Sequence, residues 1–157
     1  MEMMAPDSVW SASYADFVPE QRLPELWVHH SMPDSMASKI ERAFGIAVER
    51  VEQVPECADL FTLLDADGLE LLGRTLYFPA GPHRQTTRCR HSFAITSIGG
   101  NTTWVCRKVT AHTDEKVAMA LIHEALHHAG LTEFPCDRSG MSSGQINDLV
   151  MRSCHLW

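Results

Sequence analysis

Apolar positions change their spacing along the chain, and the changes divide it into elements. Met36, Ile40, Ala43, Phe44, Ala47, Val48 and Val51 recur three and four residues apart, with Lys39, Glu41, Arg42, Glu49 and Arg50 between them. That spacing puts one apolar stripe on a helix, which Asp34 or Ser35 would cap and Pro55 would end. A shorter helix is predicted over residues 56–64, stopped by a turn at Asp67-Gly68. Residues 74–80 read as a strand closed by Gly81-Pro82, and residues 83–91 as a polar, basic loop. Residues 92–98 and 102–109 are rich in β-branched and aromatic side chains and are joined by Gly99-Gly100-Asn101, the strongest hairpin signal in the chain.

Helical signals return at Thr113, a candidate N-cap followed by Asp114 and Glu115 in the first turn, where the macrodipole favours negative charge. Residues 116–129 contain no Gly or Pro, and Gly130 follows as a stop. A loop with Pro135 then leads to Ser142 or Ser143, which caps a last helix from 144 to about 153. The first 35 residues, broken by Pro19, Pro24 and Pro33, read as an irregular wrap. The order of elements predicts one α+β domain.

Composition narrows the class. The chain has 157 residues, 45% of them apolar, which is enough to bury a core without metal or disulfide merely to fold. Thirteen Lys and Arg stand against 20 Asp and Glu, a net charge of −7, which argues against a nucleic-acid-binding surface. No run of ~18 apolar residues offers a membrane span. Asp65-Ala66-Asp67-Gly68 has the look of a calcium loop, but its Gly is at the fourth position and its twelfth residue is Leu76, so it reads as a turn. The His29-His30 pair beside Trp27 reads as surface. His83, Arg84, Arg88, Arg90 and His91 form a basic cluster that could steer an acidic substrate or partner, against the ordinary reading of a solvated loop.

Cysteines stand at 57, 89, 106, 136 and 154, with no Cys-x-x-Cys pair. They are either disulfides of an oxidising compartment or buried thiols, and the odd number leaves at least one unpaired within the chain. Cys89 and Cys106 flank the hairpin, and Cys136 and Cys154 bracket the C-terminal segment, so local bridges are geometrically open. The N-terminus has neither the basic nor the apolar region of a signal peptide.

One motif carries chemistry. His123-Glu124-Ala125-Leu126-His127 sits inside the helix predicted after Thr113. At about 100° per residue the two imidazoles lie roughly 40° apart, so both can reach one metal ion from one face. Glu124, about 60° from His127, is placed to take a proton from a water polarised by the metal. Met119, Ile122, Leu126 and Ala129 form an apolar stripe on the other side. Two histidines and a glutamate in an otherwise apolar helix would be costly to bury without partners.

From His123 to Glu133 the chain reads His-Glu-Ala-Leu-His-His-Ala-Gly-Leu-Thr-Glu, which resembles the His-Glu-x-x-His-x-x-Gly-x-x-(His/Asp) signature of metzincin metallopeptidases. More loosely, residues 102–154 are similar to small bacterial zincin-like proteins of uncertain function. The resemblance covers the C-terminal third. It implies a zincin-like fold, with a small twisted antiparallel or mixed sheet above an active-site helix and a C-terminal helix. It implies Zn2+ held by His123, His127 and a third ligand at Glu133, where the family has His or Asp. Gly130 would allow the turn that returns Glu133 to the metal. Alternative third ligands are His128, Asp137, Cys136, Asp148 and His155. Met141 would stand for the family's Met-turn, and the oxyanion would fall to His155 or Arg138. The edge strand for extended peptide would be 102–109, making Trp104, Val105 and Cys106 substrate-binding.

These readings predict a zinc metallopeptidase, an endopeptidase rather than an exopeptidase, with Glu124 as general base and a peptide or protein as substrate. The alternatives are a non-catalytic zinc-stabilised binding module and a toxin-type effector protease with one dedicated target. Compartment logic and the resemblance together favour disulfides and a secreted or periplasmic setting, with the cytoplasm as the alternative.

Overall fold

A computed structural model describes residues 23–134 and 140–157 of the chain. Among them are six α-helices and a small mixed sheet, so the protein is α+β. Strand β1 (Trp27–Val28) leads into helix α1 (Asp34–Gln53). Helices α2 (Pro55–Thr62) and α3 (Gly68–Arg74) follow, then strand β2 (Leu76–Pro79). Helix α4 (Pro82–Thr86) and a 3-10 turn (Arg88–Arg90) precede the hairpin of β3 (Ala94–Thr96) and β4 (Thr102–Val105). A second 3-10 turn (Arg107–Ala111) opens into helix α5 (Asp114–His128). Strands β5 (Glu133–Phe134) and β6 (Met141–Ser142) and helix α6 (Ser143–Cys154) complete the chain.

The amphipathic helix forms because its seven apolar positions are all buried: Met36, Ile40, Ala43, Phe44, Ala47, Val48 and Val51 face the core in α1. That stripe packs along α5, whose residues from Val117 to His128 are all buried. Each large aliphatic side chain on α5, such as Leu121, Ile122 and Leu126, contributes about 1.5–3 kcal/mol by leaving water. Thr113 caps α5 by accepting from the Lys116 N–H at 3.1 Å. Ser142 caps α6 in a capping box with Gln145, whose side chain accepts from the Ser142 N–H at 2.9 Å.

Strand order in the four-stranded sheet is β1-β2-β4-β3. β1, β2 and β4 run parallel, and β3 is antiparallel to β4, with Ala94 opposite Val105 and Thr96 opposite Thr103. β4 is therefore interior, paired on both sides, and the edge strands are β1 and β3. This corrects the expectation that residues 102–109 form a substrate-binding edge. The strand also ends earlier, at Val105, because residues from Arg107 turn as a 3-10 helix.

Other departures are local. Asp67-Gly68 does not only stop a helix but starts one. The Asp67 carboxylate accepts from Leu69 N and Glu70 N, which makes it the N-cap of α3 and commits it away from any cation. Part of the loop expected over 83–91 is α4 and its following 3-10 turn. Residues 1–22 of the expected N-terminal wrap lie outside the described residues, and the rest of it includes β1.

Two disulfides tie these elements together. Cys89–Cys106 joins the 3-10 turn before β3 to the residue after β4, as the hairpin geometry allowed. Cys57–Cys154 clamps α2 to the end of α6. Cys154 therefore pairs with Cys57 across 97 residues of chain, not with Cys136. Cys136 lies outside the described residues.

Candidate metal centre

Helix α5 ends in a Schellman motif, and that ending builds the centre. Leu131 N donates to the Leu126 carbonyl at 3.0 Å and Gly130 N to the His127 carbonyl at 3.0 Å, with Gly130 at φ +107°. The chain thereby reverses over the last helical turn and enters β5. Glu133 returns beside the two histidines from that strand, whose short pairing with β6 sets Glu133 opposite Met141.

The ligand atoms converge tightly. His123 Nε2 and His127 Nε2 are 3.1 Å apart, and Glu133 Oε1 lies 3.1 Å from the first and 2.9 Å from the second. Atoms held ~2.0–2.2 Å from a tetrahedral zinc would stand roughly 3.3–3.6 Å apart, so the triangle is tighter than that by about 0.2–0.7 Å. These three residues form the one such cluster among the described residues.

Proton positions sharpen the point. His127 Nδ1 lies 2.8 Å from the Leu131 carbonyl, which can only accept, so Nδ1 carries the hydrogen and Nε2 of the neutral ring holds a lone pair. His123 Nδ1 is 2.6 Å from Asn147 Oδ1 on α6, with the same consequence. Three acceptor atoms thus meet with no hydrogen of a neutral imidazole between them. A cation is the group this donor set fits, and both rings are oriented by acceptors behind them, as metal-ligating histidines are.

The surrounding field favours a positive charge at that point, whether a proton on His123 or a cation. Burial pushes the His123 imidazole down, but the Glu133 carboxylate, the Glu124 charge and Asn147 outweigh it and raise its pKa. Hydrogen bonding to His123 holds the Glu133 carboxyl below the usual glutamate range against the opposing effect of burial, and His127 adds to it. Burial raises the Glu124 carboxyl, partly offset by His123, His127 and a hydrogen bond from Thr96. Thr96 lies on β3, and both it and Glu124 line one cleft.

A cleft of about 230 Å³ opens over these groups. One wall is α5, with Ala120, His123, Glu124 and His127, and Ala120 is small enough to leave the histidines open one turn away. The facing wall is β3 with the Arg88–Phe93 approach to it, and Ser143 and Asn147 of α6 close the end.

Several expected residues are elsewhere. Val105 and Cys106 are fully buried, Cys106 is bonded to Cys89, and Trp104 lies under the Arg84 guanidinium 4.1 Å from the ring centroid. None of the three lines the cleft, because β4 is interior. The cleft wall is Ala94, Ile95 and Thr96 instead. His128 is buried with Nε2 3.0 Å from the Thr103 hydroxyl, and burial, aided by the Arg74 and His127 charges, pushes it down to about 4. It is a core histidine on the sheet side of α5. Asp148 is exposed on α6, and His155 caps the far end of that helix beside Trp157, so neither joins the ligands. Cys136, Asp137 and Arg138 lie outside the described residues.

Sequence reasoning did not single out Asn147, the Leu131 carbonyl or Thr96. Asn147 carried a usable signal, since on a capped helix it shares a face with Ser143, four residues earlier. Comparison with protein-family models, curated proteins and solved structures finds no match to this chain.

Proposed function

We propose that the protein is a zinc-dependent peptidase of zincin-like architecture, with His123, His127 and Glu133 as metal ligands and Glu124 as general base. The observation that carries this reading is the meeting of three acceptor atoms within 3.1 Å, each histidine being hydrogen-bonded behind, at an open cleft. A helical His-Glu-x-x-His pair with a returning carboxylate is a known catalytic donor set for zinc. When bound, zinc supplies Lewis acidity and lowers the pKa of water towards ~7.

The chain's own residues supply the rest. The Glu124 carboxylate accepts a proton from the attacking water and delivers it to the leaving amine. Thr96 of β3 lines the same cleft as that carboxylate. Among the described residues β3 pairs with β4 alone and lines the cleft, where an extended peptide can add as a further strand with main-chain hydrogen bonds.

Elemental analysis of protein purified without added metal tests the reading, paired with cleavage of a mixed peptide library. About one zinc per chain is expected, lost in His127→Ala and Glu133→Ala. Asn147→Ala weakens zinc affinity by roughly 10–100-fold. Glu124→Gln keeps the metal and cleaves nothing. Zinc retention with equal behaviour of wild type and Glu124→Gln would instead establish the zinc-stabilised binding module. No zinc uptake at all would end both readings.

A further inference from the structure

The charges of this acidic chain are sharply segregated. Residues 75–113 contain no Asp or Glu, and they hold Arg84, Arg88, Arg90, Arg107 and Lys108. All 20 acidic residues lie outside that stretch, against the other eight Lys and Arg. The stretch is not an arbitrary slice: it runs from β2 through α4 to β4 and includes β3, an edge strand among the described residues. Among the described residues, none of its five cations is in an ion pair.

Their placement is built. Cys89 is bonded to Cys106 at the end of β4, which fixes the Arg88–Arg90 turn beside the hairpin. Lys108 Nζ donates to the Arg90 carbonyl at 3.3 Å, and Arg84 is laid over Trp104. Arg88 and His91 remain exposed, and both line the cleft that holds His123, Glu124, His127 and Glu133. Among the described residues the only carboxylates lining that cleft are Glu124 and Glu133, which belong to the metal centre.

We propose that the cleft selects extended polypeptide segments bearing acidic side chains, with Arg88 and His91 reading a carboxylate while the segment's main chain pairs with β3. This rests on the cleft assignment under Proposed function and adds the substrate class. An exposed guanidinium forms bidentate, charge-assisted hydrogen bonds with a carboxylate. The surrounding cations steer such a chain towards the cleft, while the acidic remainder of the molecule repels it elsewhere.

Fluorescence anisotropy on the Glu124→Gln protein as purified separates binding from turnover. The probes are labelled eight-residue alanine-based peptides carrying two Glu, two Lys or two Gln, with a single-stranded DNA oligonucleotide as a second polyanion. The Glu peptide is expected to bind roughly 10-fold or more tighter than the Gln peptide, as one charge-assisted contact allows. The difference should shrink with added salt. Arg88→Glu should abolish the preference with zinc content unchanged, whereas Arg152→Glu, the same charge change on the last turn of α6, should preserve it. Equal binding of all three peptides, or a preference that survives Arg88→Glu, overturns the proposal. DNA binding as tight as the Glu peptide also overturns it, in favour of a general polyanion surface. If wild type cleaves nothing while the acidic preference holds, the peptidase reading fails and this one stands.

Discussion

Single residues hold the entrance to helix α5 as firmly as its exit. Asp114, the first residue of α5, accepts from Lys39 Nζ at 2.7 Å and Arg42 Nε at 3.1 Å, both on α1, and Lys39 also donates to the His112 carbonyl at 2.7 Å. The Lys39 hydrogen bond, with Arg42 adding and burial opposing, holds the Asp114 carboxyl below the usual range. A carboxyl with a lowered folded pKa contributes stability that is fully present above its unfolded value, ~3.9, and is lost as pH falls through the folded value. Wild type should therefore exceed Asp114→Asn in urea stability at pH 7. The gap should begin to close near pH 4, vanish below the folded pKa, and shrink in high salt. A gap that stays constant from pH 7 to pH 2 would mean that Asn replaces the carboxylate fully and that the ion pairs contribute nothing.

Among elements, the legible ones are those whose signals are local. α1, α5 and α6 declare themselves by apolar period and by Thr113 and Ser142, and the centre's His123, Glu124 and His127 come with α5. β1 is two residues long and pairs in parallel with a strand nearly 50 residues away, so no local pattern announces it. For the same reason the interior position of β4 escapes a reading that sees only its hairpin with β3. α4 hides because Pro82-His83-Arg84-Gln85-Thr86 has no buried residue to set a period. The exit of α5 is readable at Gly130, and two glycines make opposite predictions. Gly130 has φ +107° with nothing within 4 Å of where a methyl group would stand, so Gly130→Ala is penalised by backbone conformation alone, about 1–2 kcal/mol. Zinc affinity should fall with it as Glu133 loses its return path. Gly45 is exposed within α1, also with nothing within 4 Å, so Gly45→Ala should stabilise by about 0.5–1 kcal/mol. Thermal melts with zinc titration check both, and a harmless Gly130→Ala would remove the Schellman ending as the device that sets the third ligand.

At the scale of the whole molecule, the disulfides divide stability from function. Two bridges suit an oxidising setting, and among the described residues no helix is long and apolar enough to cross a membrane. Cys57–Cys154 closes 97 residues and Cys89–Cys106 closes 17. Chain entropy assigns such loops about 4.7 and about 3 kcal/mol. All four sulfurs are buried, so the cavity left by paired alanines is similar and the difference should follow loop length. The Cys57→Ala/Cys154→Ala protein is expected to lose roughly 1.5 kcal/mol more than Cys89→Ala/Cys106→Ala in chemical denaturation. The functional ranking runs the other way. Cys57–Cys154 joins α2 to the end of α6, away from the cleft, so zinc content and peptide binding should survive its loss at temperatures where the protein is folded. Cys89–Cys106 anchors the cationic wall beside β3, so its loss should leave the zinc and weaken binding of the acidic peptide. If both pairs alter binding equally, the wall is held by its own packing around Ala80, Ile95 and Trp104, not by the bridge.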